Sequence, residues 1–122
     1  KNEIKKNFLS ISKNSKIKID NILLALIKLG YERTALVRDK SEFAIRGSII
    51  DIFLPQFDKP IRIDLFDDEI ESIFEFDPIT QKRLNKSSIK SFKLNPSSEL
   101  IIDNKGKLHI IHIHILLQNG IK

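Results

Sequence analysis

With 122 residues, a formal charge of +5 and neither Cys nor Met, the chain is one ordinary domain, long enough to remove roughly 65% of its unfolded surface from water without crosslinks or metals. The composition excludes disulfides, thiolate metal sites and thiol nucleophiles, fits a reducing cytosol, and contains no apolar run near the roughly 20 residues of a membrane helix. A first residue other than Met makes the chain read as a piece of a longer polypeptide.

Residues 1–18 form a variable basic segment, with Lys1, Lys5, Lys6, Lys13, Lys16 and Lys18 against Glu3, a net of +5. It lacks the apolar core of a signal peptide. Its short patch of Phe8, Leu9 and Ile11 reads as one edge strand or as a mobile stretch. Next, Asp20 offers an N-cap oxygen, Ile22, Leu23, Leu26 and Ile27 recur at helical spacing, and Gly30 suits the left-handed position that ends a helix. The spacing predicts a helix over Asn21 to Leu29, too short to persist unless its apolar stripe lies on a sheet.

From Thr34 the period changes to two, which predicts strands near 34–38, 42–46, 49–54, 61–66, 70–76 and 89–94. The short connections predict antiparallel neighbours. Gly47 and Ser48 read as a turn or bulge, Pro55 to Pro60 as a loop, and Asp67 and Asp68 as a tight turn. The fold class expected is α+β, one principal helix on a largely antiparallel sheet, with the domain proper spanning 19–96. Residues 97–122 form an atypical apolar tail, in which Asn104, Lys105 and Gly106 could turn a β-hairpin. An uncharged strand such as Ile110 to Leu117 is an aggregation hazard unless covered.

The positive charge invites a nucleic-acid reading in which residues 1–18 contact DNA. Yet from Asp58 to Asp77 the chain sets Lys59 and Arg62 against eight acidic residues, a net of −6, so phosphate is repelled from the centre. The acidic group Asp67, Asp68, Glu69 and Glu71 lacks calcium-loop spacing and reads as a solvated turn, with a carboxylate metal site as the competing account. His112 and His114 share one face of a strand and His109 the other, and two imidazoles without a third ligand make a poor metal site. No phosphate loop, zinc-protease motif or nucleophile elbow occurs. The expectation is a chain without catalytic residues or cofactors.

Side-chain parity carries a stronger signal. In IRIDLF, Ile61, Ile63 and Leu65 take one face and Arg62, Asp64 and Phe66 the other; in EFAIRG, Phe43 and Ile45 point inward and Ala44 and Arg46 outward. Two accounts stay open. Phe66 could cap a second small core, with the arginines merely pairing with Asp64 or Asp51, or an exposed aromatic flanked by Arg could be a protein-interface hot spot.

LGYER at 29–33, EFAIRGSIIDIF at 42–53, PIRIDLFDDEIESI at 60–73 and FDPITQ at 76–81 resemble the UvrB-like interaction domain of bacterial nucleotide excision repair. That domain occurs in UvrB and in the transcription-repair coupling factor. FAIRGSIIDIF, and Gln81 where UvrB proteins usually have Gly, look more like the coupling factor, with a UvrB fragment as the alternative. The resemblance implies docking, not catalysis: a cytoplasmic module that binds UvrA through two arginines and an aromatic, onto whose motif positions Arg46, Arg62 and Phe66 fall. In coupling factors it further implies that this surface is masked by another domain of the same polypeptide until stalled RNA polymerase is engaged, and that an ATP-driven DNA translocase motor lies downstream. Three features depart from the pattern. Ser48 follows Gly47 where a second Gly is common, Leu54 precedes Pro55, and beyond Glu99 an apolar strand replaces a helical segment.

Overall fold

The computed structural model describes residues 9–84, 87–96, 99–102 and 108–111, the last two stretches by backbone alone. Its elements are β1 (Leu9–Ser12), α1 (Ile19–Lys28), β2 (Glu32–Arg33), β3 (Glu42–Arg46), β4 (Ile49–Ile52), β5 (Ile61–Phe66), β6 (Glu69–Glu75), β7 (Ser91–Leu94), β8 (Glu99–Ile102) and β9 (Leu108–Ile111). One helix among the described residues lies on a five-stranded sheet of order β2-β3-β4-β5-β6, with β1-β7 and β8-β9 as separate pairs. This is an α+β fold. No described helix is long and apolar enough to cross a membrane.

The alternating stretch forms a meander because its turns have the right backbone. Arg46 pairs with Ile49 across Gly47 and Ser48, and Gly47 takes φ +60, a conformation that costs a residue without a Cβ little. Asp67 and Asp68 take φ 54 and 67 in a two-residue loop between Phe66 and its partner Glu69. Both central residues of that hairpin type need positive φ, and Asp tolerates it better than most. In β6 the register shifts opposite Asp64 and Leu65, leaving Glu71 as an extra residue. This bulge lets Ile70 and Ile73, three apart, both reach the interior, at 0% and 1% exposure.

α1 begins two residues before the expected start, so Asp20 sits inside the first turn and Lys18 is the N-cap without a side-chain bond. The acidic side chain still favours the helix there by complementing the partial positive charge of the N-terminus. At the other end Gly30, at φ 91, donates to Ile27 O at 3.1 Å and Tyr31 N donates to Leu26 O at 2.9 Å, the paired bonds of a Schellman cap. Ile22, Leu26 and Leu29 of this segment are buried with Phe43, Ile50, Ile52, Ile61, Ile63, Leu65, Ile70 and Ile73. Tyr31 joins them and donates its hydroxyl proton to Asn95 O at 2.8 Å. Burial pushes that hydroxyl well above its ordinary range.

Two expectations are corrected. Residues 34–38 are not a strand: β2 is only Glu32–Arg33, and it pairs parallel, not antiparallel, with β3. After Thr34 the chain leaves the edge, buries Val37, and returns in the original direction, with Glu42 Oε1 accepting the Arg38 and Asp39 N–H groups at 2.9 and 3.0 Å. Burying Val37 and satisfying those two donors outweighs its local strand propensity.

The N-terminal patch does form a strand, but its partner is remote in sequence. β1 pairs antiparallel with β7, and Ile11 and Phe92 enter the main core. Residues 13–17 then run along β6, where Asn14 N donates to Ile70 O at 2.7 Å and Ile70 N to Ser15 O at 2.9 Å, covering an otherwise exposed edge. In the tail β8 pairs antiparallel with β9. Asn104, Lys105, Gly106, and everything from His112 on lie outside the described residues.

Candidate functional site

On the sheet face away from α1 the register lays residues in rows. Ala44, Asp51, Arg62 and Phe74 sit side by side across four strands, and Arg46, Ile49, Asp64 and Ser72 form the next row. Asp51 is the only charged residue buried among those described, at 1% exposure. Arg62 grips it with two bonds, Nε to Oδ1 at 2.8 Å and Nη2 to Oδ2 at 3.0 Å. Arg46 adds a third from Nη2 to Oδ2 at 3.0 Å. A carboxylate taken out of water is tolerable only when its lone pairs meet charged donors in this way, and the planar fork of Arg meets two at once.

The two arginines are not equivalent. The Arg62 side chain is 16% exposed and that of Arg46 is 48%. Arg62 also lies over the Phe76 ring, 4.4 Å from its centroid, and donates from Nη1 to Gln81 O at 3.2 Å. It is therefore a largely enclosed strut, whereas parity alone had all three residues facing solvent. Arg46 keeps Nε and Nη1 without a partner among the described residues. The cluster of one carboxylate and two guanidinium groups has a net charge of +1.

Phe66 stands at the far end of β5 on the same face, 66% exposed, opposite Glu69 and beside the Asp67–Asp68 turn. The structure matches the first of the two accounts in part. The arginines pair with Asp51, not Asp64, and a second small core does exist, built from Val37, Ala44, Phe53 and Phe76. Phe66 takes no part in it. Among the described residues no three carboxylate or imidazole side chains gather as metal ligands, and Asp67 and Asp68 serve as the turn.

Parity missed the centre of the arrangement. Asp51 appeared only as one possible partner of the arginines, yet it organises the cluster. Gln81, at the position where UvrB proteins usually have Gly, has a backbone φ of +65. Its side chain offsets the strain by donating from Nε2 to Pro78 O at 2.8 Å and to Val37 O at 3.2 Å, which ties the 77–81 turn to the 34–38 loop. The signal available in the sequence was a bulky residue at a turn position suited to Gly.

The chain is similar to known proteins over most of its length. The model of the UvrB interaction domain matches residues 9–100. A transcription-repair-coupling factor of Borreliella burgdorferi is 42% identical over 105 residues, covering 86% of this chain and 9% of that protein. One from Haemophilus influenzae is 40% identical over 100 residues, 82% of this chain and 9% of that protein, and one from Myxococcus xanthus 36% identical over 88 residues, 72% and 7%. The chain thus spans less than a tenth of the length of these relatives. The family match over most of the folded core, together with this level of identity, means that the chain belongs to the UvrB interaction domain family.

Proposed function

We propose that this module recruits UvrA through Arg46, Arg62 and Phe66, with Arg46 and Phe66 presented on the open face of its sheet and Arg62 acting through its hold on Asp51. The observation that carries the reading is the unequal pair of arginines on Asp51. Arg62 spends its donors on holding the cluster rigid, so Arg46 is pre-positioned with N–H groups left for a carboxylate on the partner. Phe66 then supplies an exposed apolar anchor on the same face, and aromatic and Arg side chains are the residue types enriched in interface hot spots. The module works by docking and not by catalysis. Within a longer cytoplasmic bacterial protein of the coupling-factor type, RNA polymerase, DNA and an intramolecular masking domain would be contacted by or through other parts of the chain.

Binding of the 122-residue chain to purified UvrA tests this by calorimetry. Phe66→Ala is expected to weaken binding by about 2 kcal/mol, and loss of either arginine by roughly 2 to 5 kcal/mol. A folded triple variant that binds as tightly as the parent chain would defeat the assignment. The rival reading, DNA contact through the basic residues 1–18, requires affinity that falls steeply with salt and disappears when that segment is deleted.

A further inference from the structure

Turn tips favour Gly, Asn, Asp and Ser, and a large apolar side chain held out in water gains nothing from burial. Ile79 breaks this pattern, at 84% exposure the most exposed large hydrophobic among the described residues. The turn beneath it is firmly tied. Ile79 N donates to Asp77 Oδ1 at 2.8 Å, Gln81 N to Asp77 O at 2.6 Å and Asp77 N to Lys82 O at 2.9 Å. On the adjoining loop Leu36 is 39% exposed, and its carbonyl accepts the Thr34 hydroxyl at 3.1 Å. The bond from Gln81 Nε2 to Val37 O joins the two loops, one residue from Leu36 and two from Ile79.

This pair of loops is continuous with the arginine cluster. The Gln81 carbonyl accepts from Arg62, and Phe76, which leads into the turn, lies against the same guanidinium. Phe66 is at the other end, four residues along β5, about 13 Å at the usual rise of a strand. The charges differ between the ends. Phe66 is surrounded in sequence and register by Asp64, Asp67, Asp68 and Glu69, whereas residues 33–42 and 77–83, which carry the two apolar tips, set Arg33, Arg38, Lys40, Lys82 and Arg83 against Asp39, Glu42 and Asp77, a net of +2, with Arg38 and Lys82 exposed and in no ion pair among the described residues. Isolated exposed hydrophobics are ordinary. Two of them on loops bonded to each other, next to unpaired cations and abutting a docking cluster, form a built surface, and its rigidity lowers the entropy lost on binding.

We propose that Leu36 and Ile79 are a second apolar anchor of the docking face, seated in an apolar cleft rimmed by carboxylates on the same protein that takes Arg46 and Phe66. The inference rests on the UvrA-docking reading and extends its footprint to both ends of β5. The test is calorimetry of the 122-residue chain against UvrA, with thermal melting to verify the fold. Ile79→Ser is expected to weaken binding about tenfold at an unchanged melting temperature. Ile79→Asp should lose more than Ile79→Lys, because only the cation suits an acidic rim; the reverse order would overturn the proposed rim. Parental affinity in Ile79→Ser, while Arg46→Ala and Phe66→Ala lose theirs, would remove the second anchor and leave the docking reading intact. Parental affinity in all three would remove both.

Discussion

Among the described residues, Phe43, Ile50, Ile52, Ile61, Ile63 and Ile73 on the α1 side of the central sheet close a core that holds no buried charge; on the other side, one buried carboxylate is held by two guanidinium groups beside a core of four side chains. Both faces come from the same two-residue alternation. They differ in how a loss spreads. An apolar core has no direction, so its stability follows volume and area, whereas each member of the charged cluster depends on particular partners and leaves them unsatisfied when removed. A surface that must recognise another protein needs the second kind of order, because only directed groups fix where a donor points.

The largest expected effect is on the apolar side. Phe43→Ala removes a fully buried ring and is expected to cost about 3 to 5 kcal/mol in urea unfolding. On the charged side Asp51→Ala leaves Arg62 enclosed without its anion and is expected to cost about 3 kcal/mol. A cost below about 1 kcal/mol would show that the cluster is solvated and that the two faces are not distinct in kind. Gln81 sharpens the comparison at the edge of the cluster. Gln81→Ala loses the bonds to Pro78 and Val37 but keeps the left-handed backbone, while Gln81→Gly loses the same bonds and relieves the strain. Glycine should therefore be the milder replacement by roughly 1 kcal/mol, and equal melting temperatures would contradict that account. Smallest of all, Phe66→Ala should change stability by no more than about 0.5 kcal/mol, since the ring is 66% exposed. Under the proposed docking role its effect is expected in binding instead.

Much of the geometry of the candidate site was legible in the sequence, because parity is a local property. β3, β4 and β5 run within a residue or two of the expected ranges, and Arg46, Arg62 and Phe66 do share a face. Exposure was less legible. Arg62 is enclosed because the turn at 77–81 folds back over it, and that turn depends on Gln81 reaching a loop 44 positions away in the chain. The same limit applies to β6, whose bulge at Glu71 breaks the alternation that elsewhere identified the inward residues.

The amino-acid sequence alone determined the period of the helix and of β3, β4 and β5, the glycine cap, the turns at Gly47 and Asp67–Asp68, and therefore which side chains of those strands share a face, since all of these follow from φ/ψ preferences and from neighbours a few residues apart. Only the tertiary structure decided that β1 pairs with β7, that β2 runs parallel to β3, that Val37 leaves the sheet to fill a second core, and that Asp51 is buried between two arginines. Those outcomes turn on desolvation and on hydrogen-bond partners brought together across tens of residues. No short window of sequence contains the energies that choose among them.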